Sequence, residues 1–186
     1  MNLIEELVKK YEGSYSEETK KSSIFTSGQF NFHPQNGVLE LDGTKITLNI
    51  NAVTGASQTA EPYRLVLYLD QDYEMPLQIF PKSVFKRLWF WLFPQNHTTL
   101  PKTIKKWFSF HGNQQVIDAL GKDAKFCEMI HNEKTFILLG KKFPKCVILT
   151  PAYGIDDLNH FEKLLQILKR IEAAIKTKSS LNPVSN

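Results

Sequence analysis

The sequence predicts an α+β fold: an antiparallel β-meander sheet packed by N- and C-terminal helices, with short helices between the later strands. Three observations predict it. Both ends carry apolar stripes at helical spacing, residues 29–80 read as short β-rich runs parted by turn residues, and the later half mixes both periods.

Taken in order, residues 2–12 put Leu3, Ile4, Leu7, Val8 and Tyr11 on one side of a helix, and Gly13 stops it. Residues 14–23 are polar and charged and read as a surface linker. Ile24-Phe25 suits a short strand, and Gln29-Phe30-Asn31-Phe32-His33 alternates cleanly. Asn36-Gly37 and Asp42-Gly43 are tight-turn dipeptides and bracket a short strand over 38–41. Residues 44–52 then place Ile46, Leu48, Ile50 and Ala52 on one face and Thr47, Asn49 and Asn51 on the other, a half-buried strand. Residues 54–61 are small and polar and read as a loop.

The chain is organised around residues 63–93. Tyr63-Arg64-Leu65-Val66-Leu67-Tyr68-Leu69 is apolar on both faces apart from Arg64, which predicts a central strand covered on both sides. Asp70, Asp72 and Glu74 form an acidic turn, and Leu77-Gln78-Ile79-Phe80 is expected to return beside the first strand until Pro81 stops it. From Lys82 the period becomes helical, with Val84, Phe85, Leu88, Trp89, Trp91 and Leu92 on one stripe. Lys82, Ser83, Lys86 and Arg87 lie opposite, together with Phe90 and Phe93.

Residues 102–106 hold a basic patch, and 107–111 alternate as a strand. Gly112-Asn113 turns into a helix carrying Val116, Ile117 and Leu120, and Asp123 caps another carrying Phe126, Cys127, Met129 and Ile130. Residues 135–139 and 146–150 form a buried hairpin, and Pro151 ends its second strand. Gly154-Ile155-Asp156-Asp157 opens the last helix, whose stripe is Leu158, Phe161, Leu164, Leu165, Leu168, Ile171 and Ile175. Residues 1–176 form one α+β domain or one built from two lobes, 1–93 and 94–176, and 177–186 are a polar tail.

Several of these phrases, "IFPKSVFKRL", "WFSFHGNQQVIDAL" and "GIDDLNHFEKLLQILKRI", carry a resemblance. With Phe108-Ser109-Phe110-His111-Gly112-Asn113 standing before a short helix, the chain resembles a loose group of uncharacterised bacterial α+β domains of unknown function. The likeness spans about residues 23–175. It implies an α+β fold and no particular activity.

The totals bound the rest. A length of 186 residues with 42% hydrophobic content is enough for a core without disulfides or metal. The formal net charge of +4 is too mild to mark a nucleic-acid binder by itself. Cys127 and Cys146 lie in apolar surroundings without metal-ligand spacing and read as free thiols of a reducing compartment. The opening residues lack the basic-then-apolar order of a secretory signal, and no apolar run approaches the roughly 20 residues of a membrane span. The expectation is a cytoplasmic chain.

No complete catalytic motif is present, so no catalytic residue, cofactor or metal site is expected. The marked feature is an acid-free interval from Glu74 to Asp118, where cations interleave with aromatic rings. It predicts a non-enzymatic binding surface made of Lys82, Lys86, Arg87, Trp89, Phe90, Trp91, Phe93, Lys102, Lys105 and Lys106. The partners that suit it are an unknown protein or a second copy first, then a membrane surface. The alternative is a small-ligand site or enzyme near His111, Asn113, Glu128 and His131; single-stranded nucleic acid is the weakest reading.

Overall fold

Period-two alternation buries one side of a strand and leaves the other to be dealt with, and that asymmetry governs this architecture. The structure, a computed structural model, describes residues 3–19, 21–25, 28–55, 58–60, 63–73, 75–82, 99–140 and 142–179. Among them the first half holds α1 (Leu3–Lys10), β1 (Ser14–Glu17), β2 (Lys21–Phe25), β3 (Gly28–Leu41), β4 (Thr44–Gly55), β5 (Gln58–Ala60), β6 (Tyr63–Tyr68) and β7 (Leu77–Pro81). The second half holds α2 (Lys102–Trp107), β8 (Phe108–Gly112), α3 (Gln114–Lys122), α4 (Ala124–His131), β9 (Thr135–Gly140), β10 (Phe143–Pro151) and α5 (Leu158–Ser179).

The described strands form one antiparallel sheet in the order β1-β3-β4-β6-β10-β9-β7-β8, with β2 also on β3 and β5 also on β4. The α+β class is therefore as the alternation predicts, with helices at both ends and short ones among the later strands. The order differs in one respect. β7 does not return beside β6: the β9–β10 hairpin stands between them, with Ile148 opposite both Val66 and Leu138 and Leu138 opposite Gln78. Hydrophobic alternation specifies which face a residue takes but not which strand becomes its neighbour.

Several local expectations are corrected too. Residues 14–23 are not a linker, because β1 and β2 pair along β3. Asn36-Gly37 is no turn: both lie inside β3, where a Cβ on Gly37 would come within 2.8 Å of side chains of Val8 and Ile4. The glycine lets α1 lie close on the sheet. Asp42-Gly43 is the turn that joins β3 to β4, both residues having positive φ (49° and 73°) as a tight hairpin requires. Within the stretch read as a loop, β4 runs on to Gly55 and pairs with β5.

One face of the sheet meets the helices. Ile46, Leu48, Leu65, Leu67, Ile137, Leu139, Val147 and Leu149 are all buried, in one cluster with Ile4 and Leu7 of α1, Val116 and Leu120 of α3, Phe126 of α4 and the α5 stripe from Phe161 to Ile175. The helix starts are capped as the sequence predicts. Asn113 accepts from the Val116 amide at 3.1 Å, Asp123 from that of Phe126 at 3.1 Å, and Asp157 from that of His160 at 2.8 Å.

α5 is fastened to the β3–β4 turn by a buried ionic group. Glu172, 3% exposed, accepts from Thr44 at 2.8 Å and pairs with Lys169 at 2.6 Å and Lys176 at 2.8 Å; Lys169 also reaches the Leu41 carbonyl. Burial pushes the Glu172 carboxyl up, but hydrogen bonds from Lys169, Lys176 and Thr44 outweigh it and hold the pKa below its ordinary value. A lowered folded-state pKa gives stability that is complete above the unfolded pKa and is lost as pH falls through the folded one. Glu172→Gln is expected to cost about 2–3 kcal/mol at neutral pH and to flatten the acid limb of stability, measured by urea unfolding across pH.

The Phe108–Asn113 phrase also gains a structural account. Phe108 and Phe110 are buried, Asn113 is a cap, and Gly112 has φ of 125° with the Pro76 carbonyl 2.0 Å from where a Cβ would stand. Gly112→Ala should destabilise the chain by about 3 kcal/mol or prevent folding, read from the thermal midpoint.

Candidate binding face

Among the described residues, the second face of the sheet carries no such cover. Its middle row, read across paired strands, runs Thr47, Val66, Ile148, Leu138, Gln78, His111. Of β6, Tyr63, Leu65 and Leu67 meet the core. On the second face Val66 is buried as well, at 8% exposed, whereas Arg64 and Tyr68 on either side of it are exposed, so among the described residues the expected cover on both sides is met only in part. The hairpin is buried on one face only, since Phe136 is 49% and Leu138 39% exposed.

A groove of about 640 Å³ lies along this face, lined by Val66, Tyr68, Phe80, Phe136, Leu138, Phe143, Cys146 and Ile148, with Asn49, Arg64, Gln78 and Thr150 among its polar groups. Phe136 also borders a cleft of about 540 Å³ that holds Lys82, Trp107, His131, Lys134 and Tyr153. Among the described residues, the large apolar side chains left exposed are Tyr68, Trp107, Phe136, Leu138, Phe143 and Tyr153. All of them line one or other of these adjoining recesses.

Three of those rings carry a lysine. The Lys45 ammonium stands 5.3 Å from the Tyr68 ring centre, Lys106 5.4 Å from Trp107 and Lys134 4.7 Å from Tyr153. His111 stacks on Phe80 at 5.3 Å, with the rings 7° from parallel, and extends the apolar surface to the β8 edge.

The residues expected to form the binding surface are placed as follows. Lys102 and Lys106 are exposed on α2, and Lys105 is half-buried. Lys82 is half-buried as well; its ammonium donates to the Lys105 carbonyl at 2.7 Å and its amide to the Trp107 carbonyl at 2.7 Å. Burial and the nearby charge of Lys105 lower its pKa. Lys86, Arg87, Trp89, Phe90, Trp91 and Phe93 lie outside the described residues.

The alternative polar set does not act as a unit. Asn113 is spent on its cap, His111 covers Phe80, and Glu128 is exposed on α4. His131 borders the second cleft, where its Nδ1 is buried with no hydrogen-bond partner among the described residues. The carboxylate beside a histidine is Glu133, not Glu128: it accepts from His160 Nε2 at 3.0 Å and pairs with Lys163 at 2.6 Å, tying the start of β9 to α5. Sequence spacing could not show this, because the partners are 27 residues apart.

Both cysteines are free and half-buried, and burial raises both thiol pKa values, with Asp123 adding to the rise at Cys127. Among the described residues no group of three or more His, Cys, Asp or Glu is arranged to hold a metal, and no helix is long and apolar enough to cross a membrane. No family model, curated protein or solved structure matches the chain.

Phe143 and Tyr153 are 53% and 78% exposed, so they contribute little to folding. Phe143→Ser and Tyr153→Ser should each change the unfolding free energy by less than about 1 kcal/mol in urea titrations, while binding of a hydrophobic surface dye falls. A loss above about 2 kcal/mol would make these rings part of the core instead.

Proposed function

We propose that this chain is a peripheral binding module that lays the open face of its sheet on an anionic lipid surface. The observation that carries the proposal is the gathering of all the exposed large apolar side chains, among the described residues, along two recesses that meet at Phe136. Rings at that exposure forfeit burial energy in water and regain it at the headgroup–acyl boundary.

Charge supports the same partner. Lys45, Lys106 and Lys134 stand on rings of these two recesses and would meet anionic headgroups as the rings enter the interface. The basic α2, with Lys102 and Lys106 exposed, borders the same cleft through Trp107.

The test is co-sedimentation with phosphatidylcholine vesicles holding about a third phosphatidylserine, against vesicles of phosphatidylcholine alone. Binding is expected to the anionic vesicles, with weakening as salt rises. The triple variant K45Q/K106Q/K134Q should bind roughly 10–100-fold more weakly. Equal binding to both vesicle types, or none to the anionic ones at low salt, would overturn the proposal.

A further inference from the structure

We propose that the groove between β6, β10 and β9 binds one straight acyl chain bearing a carboxylate, with Arg64 as the counter-ion of its head. This rests on the reading of the open face as a contact surface, and it adds a monomeric ligand to that face.

Arg64 stands in a row of the groove with Asn49 and Thr150, beyond which lies Phe136. Arg64 pairs across the sheet with Asn49, and Thr150 lines the groove on β10, following Leu149, which is the partner of Leu65. Arg64 is exposed, and no ion pair or hydrogen bond of its side chain occurs among the described residues. Among the described residues that line the groove Arg64 is the cation; Lys45, on the Tyr68 ring, and Lys145, paired with Asp72, are not part of the lining. A guanidinium offers two parallel donors to one carboxylate, so Arg64 is the group on this face suited to hold such a head.

From Arg64 the groove runs along β6 towards Tyr68, over Val66 and Ile148, to Phe143. Four residues of strand span about 13 Å. An extended hydrocarbon advancing about 1.3 Å per carbon covers that distance with about ten carbons. The floor of that path is aliphatic and aromatic, and the recess of about 640 Å³ has ample room for the chain. A carboxylate on a chain of this length therefore matches the groove in charge, polarity and reach.

The experiment is a calorimetric titration of the full chain with octanoate, decanoate and tetradecanoate below their micellar concentrations, with decyltrimethylammonium as the cationic control. Affinity should rise about 2–4-fold per added methylene up to about ten carbons and then level off. Arg64→Gln should weaken decanoate roughly tenfold without changing the thermal midpoint. Decanoate should also slow alkylation of Cys146, which lines the groove, and leave Cys127 unaffected.

Equal binding of the cationic amphiphile, no dependence on chain length, or an unchanged decanoate affinity in the Arg64→Gln variant would overturn the assignment. Vesicle binding that persists while decanoate fails would refute the groove alone. Decanoate binding without vesicle binding would refute the membrane surface and keep the groove.

Discussion

Everything in this structure depends on the seating of the β9–β10 hairpin between β6 and β7. β10 takes the free edge of β6 and β9 takes that of β7, so a second-half hairpin stands between first-half strands in one sheet. Without that insertion β6 would end in an open row of amides and carbonyls, an edge that proteins leave bare only at a cost in specificity. The pairing joins residues such as Leu65 and Leu149 that are far apart in sequence, so closing the sheet carries a large loop-closure entropy.

The same insertion creates the surface. Val66, Ile148 and Leu138 stand side by side only because three strands distant in sequence become neighbours. On the opposite face, their sequence neighbours Leu67, Val147 and Leu139 are fully or almost fully buried under the helices. α5 supplies much of that cover, and its C-terminal half is held to the β3–β4 turn by the Glu172 group. The described helices contribute their buried residues to one cluster with this face. Leaving Phe136 and Leu138 half-exposed forgoes about 1–2 kcal/mol each of burial, a cost that a contact surface recovers on binding.

Local physics was legible in the sequence and long-range choice was not. The caps at Asn113, Asp123 and Asp157, the Asp42-Gly43 turn, the alternation of β4 and the α5 stripe all depend on residues within one or two turns of each other. Apolar residues on both faces of β6 and β9 signalled burial on both sides, because alternation does not reveal which of two apolar faces the described helices cover. Asn36-Gly37 misled for a related reason. A glycine required by the approach of α1 looks the same in sequence as one required by a turn.

The candidate surface shows the same division. Within the acid-free interval, Lys106 stands on Trp107, a pairing of sequence neighbours. Lys134 on Tyr153 is out of reach of any helical spacing, and Lys45 on Tyr68 requires β4 to lie against β6. Arg64 was set aside as the exception in an otherwise apolar strand. That exception is what would give the groove a direction: a uniformly apolar trough binds any hydrophobe in any orientation, whereas a cation in its lining, without an ion pair among the described residues, selects an anionic amphiphile and fixes which way it lies.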